Sequence, residues 1–556
     1  MHSIDYVLFA LYCLGIVALG LWVSRDKSGR GKDTKDYFLA GKALPWWVIG
    51  ASLIAANISA EQFIGMSGSG FAIGLAISSY EWMAALTLLI VGKFFLPIFI
   101  EKELYTIPEF VEKRFSTNLK TILAVFWIGL YIFVNLTSVL YLGATALNTI
   151  MGVGDGSTLI YAVIGLALFA AAYSLWGGLA AVAWTDVVQV ALLIIGGLIT
   201  TWFALEHVSP DGSIFGGFKA IYDRVPEKFS MILEKGEVIT PNGKDAWLDL
   251  PGLAVLVGGM WVANLYYWGF NQYIIQRTLA AKNLRESQKG IAFAAFLKLI
   301  IPLIVVIPGI VAYVLNTAPD GTFSPDPSFI GEAGNIINDN AAPWLISKFI
   351  PTGLKGLVLA ALAAAIVSSL ASMLNSTATI FTMDIYKPYI EPKASEHKLV
   401  NVGRMTAAAA LLIAIILAPQ LKNLGQVFQY IQEYTGVVSP GILAVFMLGL
   451  FWKKTTNNGA IWGALLSIPI AMYFKVGPNA WSDSALFLNL PFMDQMFWTW
   501  ILSMVVIVVV SLIENKGRDH EKGIPISRET FATEPVFNIS AVVICVILAA
   551  LYAYFW

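Results

Sequence analysis

The sequence predicts an all-α polytopic membrane protein of about fourteen transmembrane helices, in which two sets of five helices are related by inversion. Three observations carry this reading. The 556 residues are 58% hydrophobic and only 13% charged, roughly half the charged share of soluble domains, and the apolar residues gather into runs long enough to cross a bilayer. Two of these runs are interrupted by glycines and polar residues at matching places in two halves of the chain, a sequence pointer to a transporter's binding site. Each half holds an odd number of runs, which forces the second copy to lie upside down in the membrane.

The composition also excludes several classes of function. A net charge of −1 gives no reason to expect a nucleic acid partner. Cys13 and Cys545 stand at opposite ends of the chain and suggest neither a disulfide framework nor a metal site. His2, His207, His397 and His520 all fall in polar connections, without the helical H-E-x-x-H of an intramembrane metalloprotease. No nucleophile and base stand at a recognisable spacing, so an enzyme is not expected. Nor is an obligate protein partner.

Taken in order, the spans are read at 5–24, 45–72, 78–100, 120–150, 158–175, 184–206, 251–276, 290–316, 354–385, 399–419, 424–452, 457–474, 494–514 and 537–555. The first run, Tyr6 to Val23, does not read as a cleaved signal, because its basic flank follows it at Arg25 and no small-residue cleavage site appears. The expected organisation is a first helix and loop (1–44), a first repeat (45–206), a long loop (207–250), a second repeat (251–452) and three C-terminal helices (453–556). With both termini outside, the connections 25–44, 101–120, 277–289, 386–404, 453–456 and 515–536 are cytoplasmic and hold 24 of the 35 lysines and arginines. In the long loop, Phe218 to Leu233 is amphipathic and is expected to lie along the outer surface.

The first interrupted span contains Asn57, Ser59, Glu61 and Gln62 among apolar residues. A carboxylate at that depth is costly, and irregular backbone survives there only in a protein-lined or wet cavity. The stretch is read as a helix broken between about Asn57 and Gln62, with a kinked helix whose polar groups bond its neighbours as the alternative. The second interrupted span, LPGLAVLVGGMWVANLYYWGFNQYIIQR, carries Gly258, Gly259, Asn264, Gly269, Asn271 and Gln272. Elsewhere Glu81 opens a span, Lys298 sits inside FAAFLKLIIP, and GQVFQYIQEYTG offers Gln426, Phe428, Gln429, Gln432 and Glu433. Lys298 requires a partner, with Glu81 and Glu61 as candidates, and a purely structural ion pair would satisfy the same facts. Together Gln62, Glu81, Asn264, Lys298 and Gln432 supply donors and acceptors with little net charge, an inventory suited to a neutral polyhydroxylated ligand. Met66, Tyr267 and Phe428 would serve as apolar lids or a stacking face, or else as ordinary core.

Ala365, Ser369, Ser372, Ser376 and Thr379 recur at spacings that put small and hydroxylic groups on one helical face, with Ser368 beside it. Such a face serves close helix packing, or it lends hydroxyl oxygens to a monovalent cation together with carbonyls freed at the Ala55–Ile58 break. Asp186, in WGGLAAVAWTDVVQV, is either a helix N-cap, with Gln189 completing a capping box, or part of a cation path.

DYFLAGKALPWWVIGASLIAANISAEQFIGMSGSG, WGGLAAVAWTDVVQV, NLYYWGFNQYIIQRTLA, AALAAAIVSSLASMLNSTATIF and FQYIQEYTGVVSPGILAVFMLGLFWKK closely resemble the solute:sodium symporter family. The likeness is dense from Asp36 to Lys454, looser in the flanking spans, and poor in the loops 207–250 and 317–352. It implies a LeuT-like five-plus-five inverted repeat extended to fourteen helices, and sodium-driven sugar uptake across a bacterial cytoplasmic membrane. It implies sugar contacts at Gln62, Glu81, Asn264, Lys298 and Gln432, and gates at Met66, Tyr267 and Phe428. Sodium ligands are implied at the carbonyls of Ala55, Ile58 and Ala365 and the hydroxyls of Ser368 and Ser369, with Asp186 on the inner cation path. One departure is Ala84, a helical turn after Glu81, where the resemblance calls for serine; a lost hydroxyl there bears on which sugar fits. The expectation is a sodium-coupled symporter of galactose or glucose. The rivals are a symporter of another neutral solute such as inositol and a sugar sensor that does not transport.

Overall fold

The computed structural model describes residues 2–25, 33–152, 158–331, 334–421, 427–480, 488 and 490–556. Among the described residues eleven helices are long and apolar enough to cross a membrane, two bent helix pairs bring the number to thirteen, and a shorter apolar helix is added at Leu159–Ala172. They begin with α1 (Ser3–Val23) and the bent pair α2 (Trp46–Asn57) and α3 (Glu61–Ala72). Next come α4 (Leu75–Glu101), α5 (Thr117–Met151), α6 (Leu159–Ala172) and α7 (Gly177–Val208). The second half opens with α8 (Leu253–Val257) and α9 (Gly259–Phe270), followed without a full stop by α10 (Gln272–Leu279). Then follow α11 (Leu284–Leu315), α12 (Leu354–Ile390), α13 (Glu396–Leu421) and α14 (Val427–Phe451). The chain finishes with α15 (Asn457–Ala480), α16 (Phe492–Asn515) and α17 (Pro535–Tyr554).

Burial sorts these helices into core and periphery. In α12, 94% of the apolar window is buried, against 11% in α1 and 17% in α17. α6 and α7 pack along α12, α2 and α3 along α11, and α9 along both α4 and α14. α1 rides on α7 and α12, and α17 on α11 and α4. The exposed faces of the outer helices are apolar (Leu14, Leu168, Met405 and Val546 are all more than half exposed), as lipid contact requires.

Both expected breaks are present, bent by 62° between α2 and α3 and by 76° at Gly258. At the first, the Ser59 amide turns to Asn57 O instead of reaching Ala55 O, and the next backbone bond runs from Phe63 to Ser59 O. Side chains fill in: Glu61 N–H donates to Ser59 Oγ (3.0 Å), while Ser59 N–H and Oγ–H donate to Gln62 Oε1 (3.3 and 3.1 Å). A polar run in hydrocarbon thus replaces the hydrogen bonds that a broken helix forfeits. The second break rests on Gly259, whose absent side chain lets α16 approach; a Cβ there would stand 2.0 Å from Met493 O. The chain breaks again at Asn271, which is extended (ψ 118°) between α9 and α10.

Three expectations need correction. Asp186 is not an N-cap, because α7 starts at Gly177 and places it in the helix interior. Arg277 does not belong to a connection; it is fully buried in α10. The Phe218–Leu233 stretch is not one surface helix: a helix covers Ile214–Arg224, a turn follows at Pro226–Phe229, and Lys228 and Leu233 are buried. Valine and proline at 225–226 end the helix before the apolar face is complete.

Candidate functional site

The two breaks face one cavity. Its walls come from α2 and α3 (Asn57, Glu61, Gln62, Met66), α4 (Tyr80, Glu81, Ala84), α9 (Asn264, Tyr267), α11 (Lys298) and α14 (Phe428, Gln432). All eight residues expected to bind or gate a ligand stand on this wall. Gln426 lies outside the described residues, as does the side chain of Gln429. The space open to water centres in the cavity is about 50 Å³, enough for a few waters.

Lys298 is wholly buried. Its ammonium donates to Glu81 Oε2 and Asn57 Oδ1 and stands 4.9 Å over the Trp268 ring. Its ion-pair partner is Glu81; Glu61 instead accepts from Gln432 Nε2 at 3.1 Å. Asn57 Nδ2 donates to Tyr267 Oη (3.1 Å), which also receives Tyr273 Oη–H (2.8 Å). Gln62 spends its carbonyl on Ser59, which leaves its NH₂ for the cavity. Asn264 Nδ2 bonds back to Met260 O (3.2 Å), which leaves its carbonyl oxygen. Donors and acceptors therefore alternate around a nearly neutral wall, a pattern that matches hydroxyls, each both donor and acceptor.

The Phe428 side of the cavity is equally specific. Phe428 lies in the first turn of α14, edge-on to Tyr80 with ring centroids 5.3 Å apart. It sits so close to α3 that a Cβ on Gly65 would stand 2.8 Å from its own Cβ. Two loop residues fix this end of the site. Buried Lys228 donates to Phe71 O and Ala72 O at the end of α3 (3.1 and 3.0 Å). Burial pushes its ammonium down to about 7. Asp339 accepts the Val427 N–H at the start of α14 (3.0 Å) and lies against Gly68 of α3. Burial raises its carboxyl to about 7, only partly opposed by the Val427 hydrogen bond.

A second cluster lies where α2, α7, α10 and α12 meet. Ser369 Oγ–H donates to Ala56 O beside the first break (3.0 Å) and Ser368 Oγ–H to Asp186 Oδ1 (2.6 Å). Both hydroxyls thus point their protons away and keep lone pairs for a cation. The carbonyls of Ala55 and Ile58 accept no backbone amide across the break, and Ala365 lies one turn before Ser369. All of these are oxygens, the ligand type a hard monovalent ion prefers. Asp186 is also held by Ser52 Oγ–H and by Arg277 Nη2 at 3.3 Å. The hydroxyl face of α12 meets α10 rather than a bare helix, with Ser376 on Gln276 Oε1 (2.8 Å) and Gln276 Nε2 on Thr379 (3.1 Å).

Sequence reasoning missed Asn57 and Glu61 as site residues, although both stood in the polar run that marked the break. It missed Asn135, which also lines the cavity and whose only signal is a lone amide in the apolar stretch LYIFVNLTSVLYL. It missed Arg277 because the hydropathy of its segment reads as a helix end.

Residues 37–467 match the family described as Sodium:solute symporter family. The chain is 59% identical, over 100% of its length and 99% of the relative's, to the sodium/glucose cotransporter of Vibrio parahaemolyticus. It is 35% identical to the human sodium/myo-inositol cotransporter 2, over 92% of this chain and 76% of that one. Among solved structures, a Na⁺-coupled sialic acid symporter in a substrate-bound outward-open state superposes with a TM-score of 0.76 over 92% of this chain and 98% of that one. At 22% identity that likeness speaks for the fold, and it agrees with the inverted-repeat architecture.

Proposed function

This chain belongs to the sodium:solute symporter family, and from that premise we propose that it imports a neutral hexose, galactose or glucose, with sodium by alternating access. The observation that carries the reading is convergence. Residues from α3, α4, α9, α11 and α14, all flagged for hydroxyl recognition, surround one cavity at the two helix breaks. Ser369, in this reading a sodium ligand, bonds to Ala56 O beside the same break. The relatives that bear sodium/glucose and sodium/myo-inositol names support a polyhydroxylated ring as cargo.

In this reading Gln62, Glu81, Asn264, Lys298 and Gln432 hold the sugar, and Met66, Tyr267 and Phe428 close over it. Sodium is cargo as well. Held by the Ala55, Ile58 and Ala365 carbonyls and the Ser368 and Ser369 hydroxyls, it bridges α2 of the repeat 45–206 to α12 of the repeat 251–452. Bridging stabilises the conformer in which the break at Asn57–Gln62 is set for the sugar. Because Phe428 of α14 lies against Gly65 of α3, loading and release require α3 and α14 to separate. Asp186 lies on the inward path of the ion. Both termini and the long loop face outward, and the membrane is a bacterial inner membrane, in keeping with the lysines and arginines gathered on the other face.

Proteoliposomes with a labelled sugar panel test this. Accumulation should require sodium and increase with an inside-negative potential, since each charge gains roughly 2.3 kcal/mol per 100 mV. Equal accumulation from a proton gradient without sodium would refute it. Preference for inositol over hexoses would move the assignment to the second named group of relatives, and sodium-dependent binding without uptake would make the protein a sensor.

A further inference from the structure

The sugar and cation sites leave one membrane-facing feature unexplained. α17 docks against α11 through few side chains, and beside that seam runs an apolar groove of about 490 Å³. Phe293 and Phe296 of α11, Val543 of α17 and Trp46 at the start of α2 line it, and Ser540 is a small residue on its α17 wall. Phe296 and Val543 are nearly half exposed, and Trp46 is edge-on to Phe293 with ring centroids 5.6 Å apart. Both flanking helices are long and apolar enough to cross a membrane, so the groove opens to lipid rather than to water.

One end of the groove is charged. Lys289 lines it and, among the described residues, has no carboxylate within ion-pair distance. The acids nearby are already taken: Glu286 accepts the Trp46 N–H at 2.9 Å, and Glu534 is paired with Arg285. What remains is a lysine in the second turn of α11, at the rim of an apolar slot that Trp46 also lines. An ammonium there is satisfied by a phosphate that reaches down from the headgroup layer, and the slot by the chain attached to it.

We propose that this groove is a binding site for one anionic phospholipid, with an acyl chain along α11 and α17 and its phosphate on Lys289. The inference is independent of what the central cavity carries; only the choice of the cytoplasmic leaflet rests on the proposed orientation. The site bears on transport through α2, because Trp46 forms its wall and α2 leads directly to the break. A Cβ on Gly50 of that helix would meet Phe293 at 2.6 Å, so α2 packs directly on the groove wall.

Native mass spectrometry of the whole protein, exchanged into mild detergent with equal phosphatidylglycerol and phosphatidylethanolamine, tests the site. The parent should retain one phosphatidylglycerol in preference to phosphatidylethanolamine. Lys289→Gln should lower that preference by about fivefold, the effect of one lysine near an anionic surface. Ser540→Phe, which fills the slot and keeps the charge, should abolish retention of either lipid. Equal lipid ratios in parent and Lys289→Gln would overturn the headgroup assignment. Undiminished retention in Ser540→Phe would overturn the groove, as would a second copy of the chain released by that substitution in place of lipid. Sugar binding by the parent in the same detergent reports on the central cavity separately.

Discussion

Lys298–Glu81 and Arg277–Asp186 are both ion pairs withdrawn from solvent in the middle of the bundle, and they are built on different plans. Arg277 donates to Ser52 O (3.1 Å) and Ser52 Oγ (2.6 Å), to Tyr273 O, to Ser372 Oγ and to Asp186, while Asp186 also receives Ser52 and Ser368. Each guanidinium nitrogen has a partner, on α2, α7, α10 or α12. Lys298 has two oxygen partners and an aromatic face, and its surroundings open on the cavity, where Asn264 and Gln62 each hold an uncommitted polar atom. A buried pair with every hydrogen bond made fixes one packing arrangement. One that borders a cavity with spare donors and acceptors can exchange partners with a ligand.

The largest effect should come from breaking the Arg277–Asp186 pair. Arg277→Met leaves Asp186 charged and unpaired in the core, and should destabilise the protein by about 3–5 kcal/mol. A large fall in thermal unfolding temperature in detergent, partly recovered in Arg277→Met with Asp186→Leu, is the expected result. A variant as stable as the parent would erase the contrast between the pairs.

Lys298→Ala should act on ligand first. Water can enter the cavity and solvate Glu81, so the stability loss should be smaller than for Arg277→Met. Sugar affinity at saturating sodium should fall roughly 5–150-fold, or about 1–3 kcal/mol. Gln62→Ala should move affinity in the same direction. Unchanged sugar affinity in folded Lys298→Ala protein would make this pair structural too.

Asp339 is a third buried carboxylate, and it has a backbone amide in place of a cation. Its folded-state value of about 7 lies above the ordinary 3.8. Its contribution to stability is therefore complete below the unfolded value and is lost as pH rises through about 7. The slope should approach about 1.4 kcal/mol per pH unit between those limits. Unfolding measured from pH 5 to 8 should show this slope below about 7 and level off above it in the parent, and show neither in Asp339→Asn. A slope that persists in the variant would assign the titration elsewhere.

The smallest change sharpens the cation side of the comparison. Ser369→Ala fits the same helical face, so the helix should survive. One oxygen is lost from the proposed sodium shell, which should weaken sodium binding by about 1 kcal/mol, roughly fivefold. By linkage, sugar binding should weaken at limiting sodium and largely return at saturation. Coincident sodium titrations of parent and variant would leave Ser369 as a packing residue.

The sequence alone determined the polytopic helical architecture, the two breaks and the kinds of residue at the cavity. Hydrocarbon gives the backbone no partner but itself, so a span is a local property of some twenty residues, and polar side chains inside one announce an interruption. The Asn57–Gln62 run and Gly258–Gly259 were legible for that reason. Tertiary structure decided the pairings. Lys298 takes Glu81, 217 positions away, and leaves Glu61 to Gln432, 371 positions away. Arg277 reads as a loop residue until α10 carries it under Asp186, and Asp186 as a cap until α7 is seen to begin at Gly177. Lys228 and Asp339 look like ordinary loop charges until their loops fold back onto α3 and α14. Such choices depend on which charges share a low-dielectric pocket, and a linear chain does not specify that until its helices have packed.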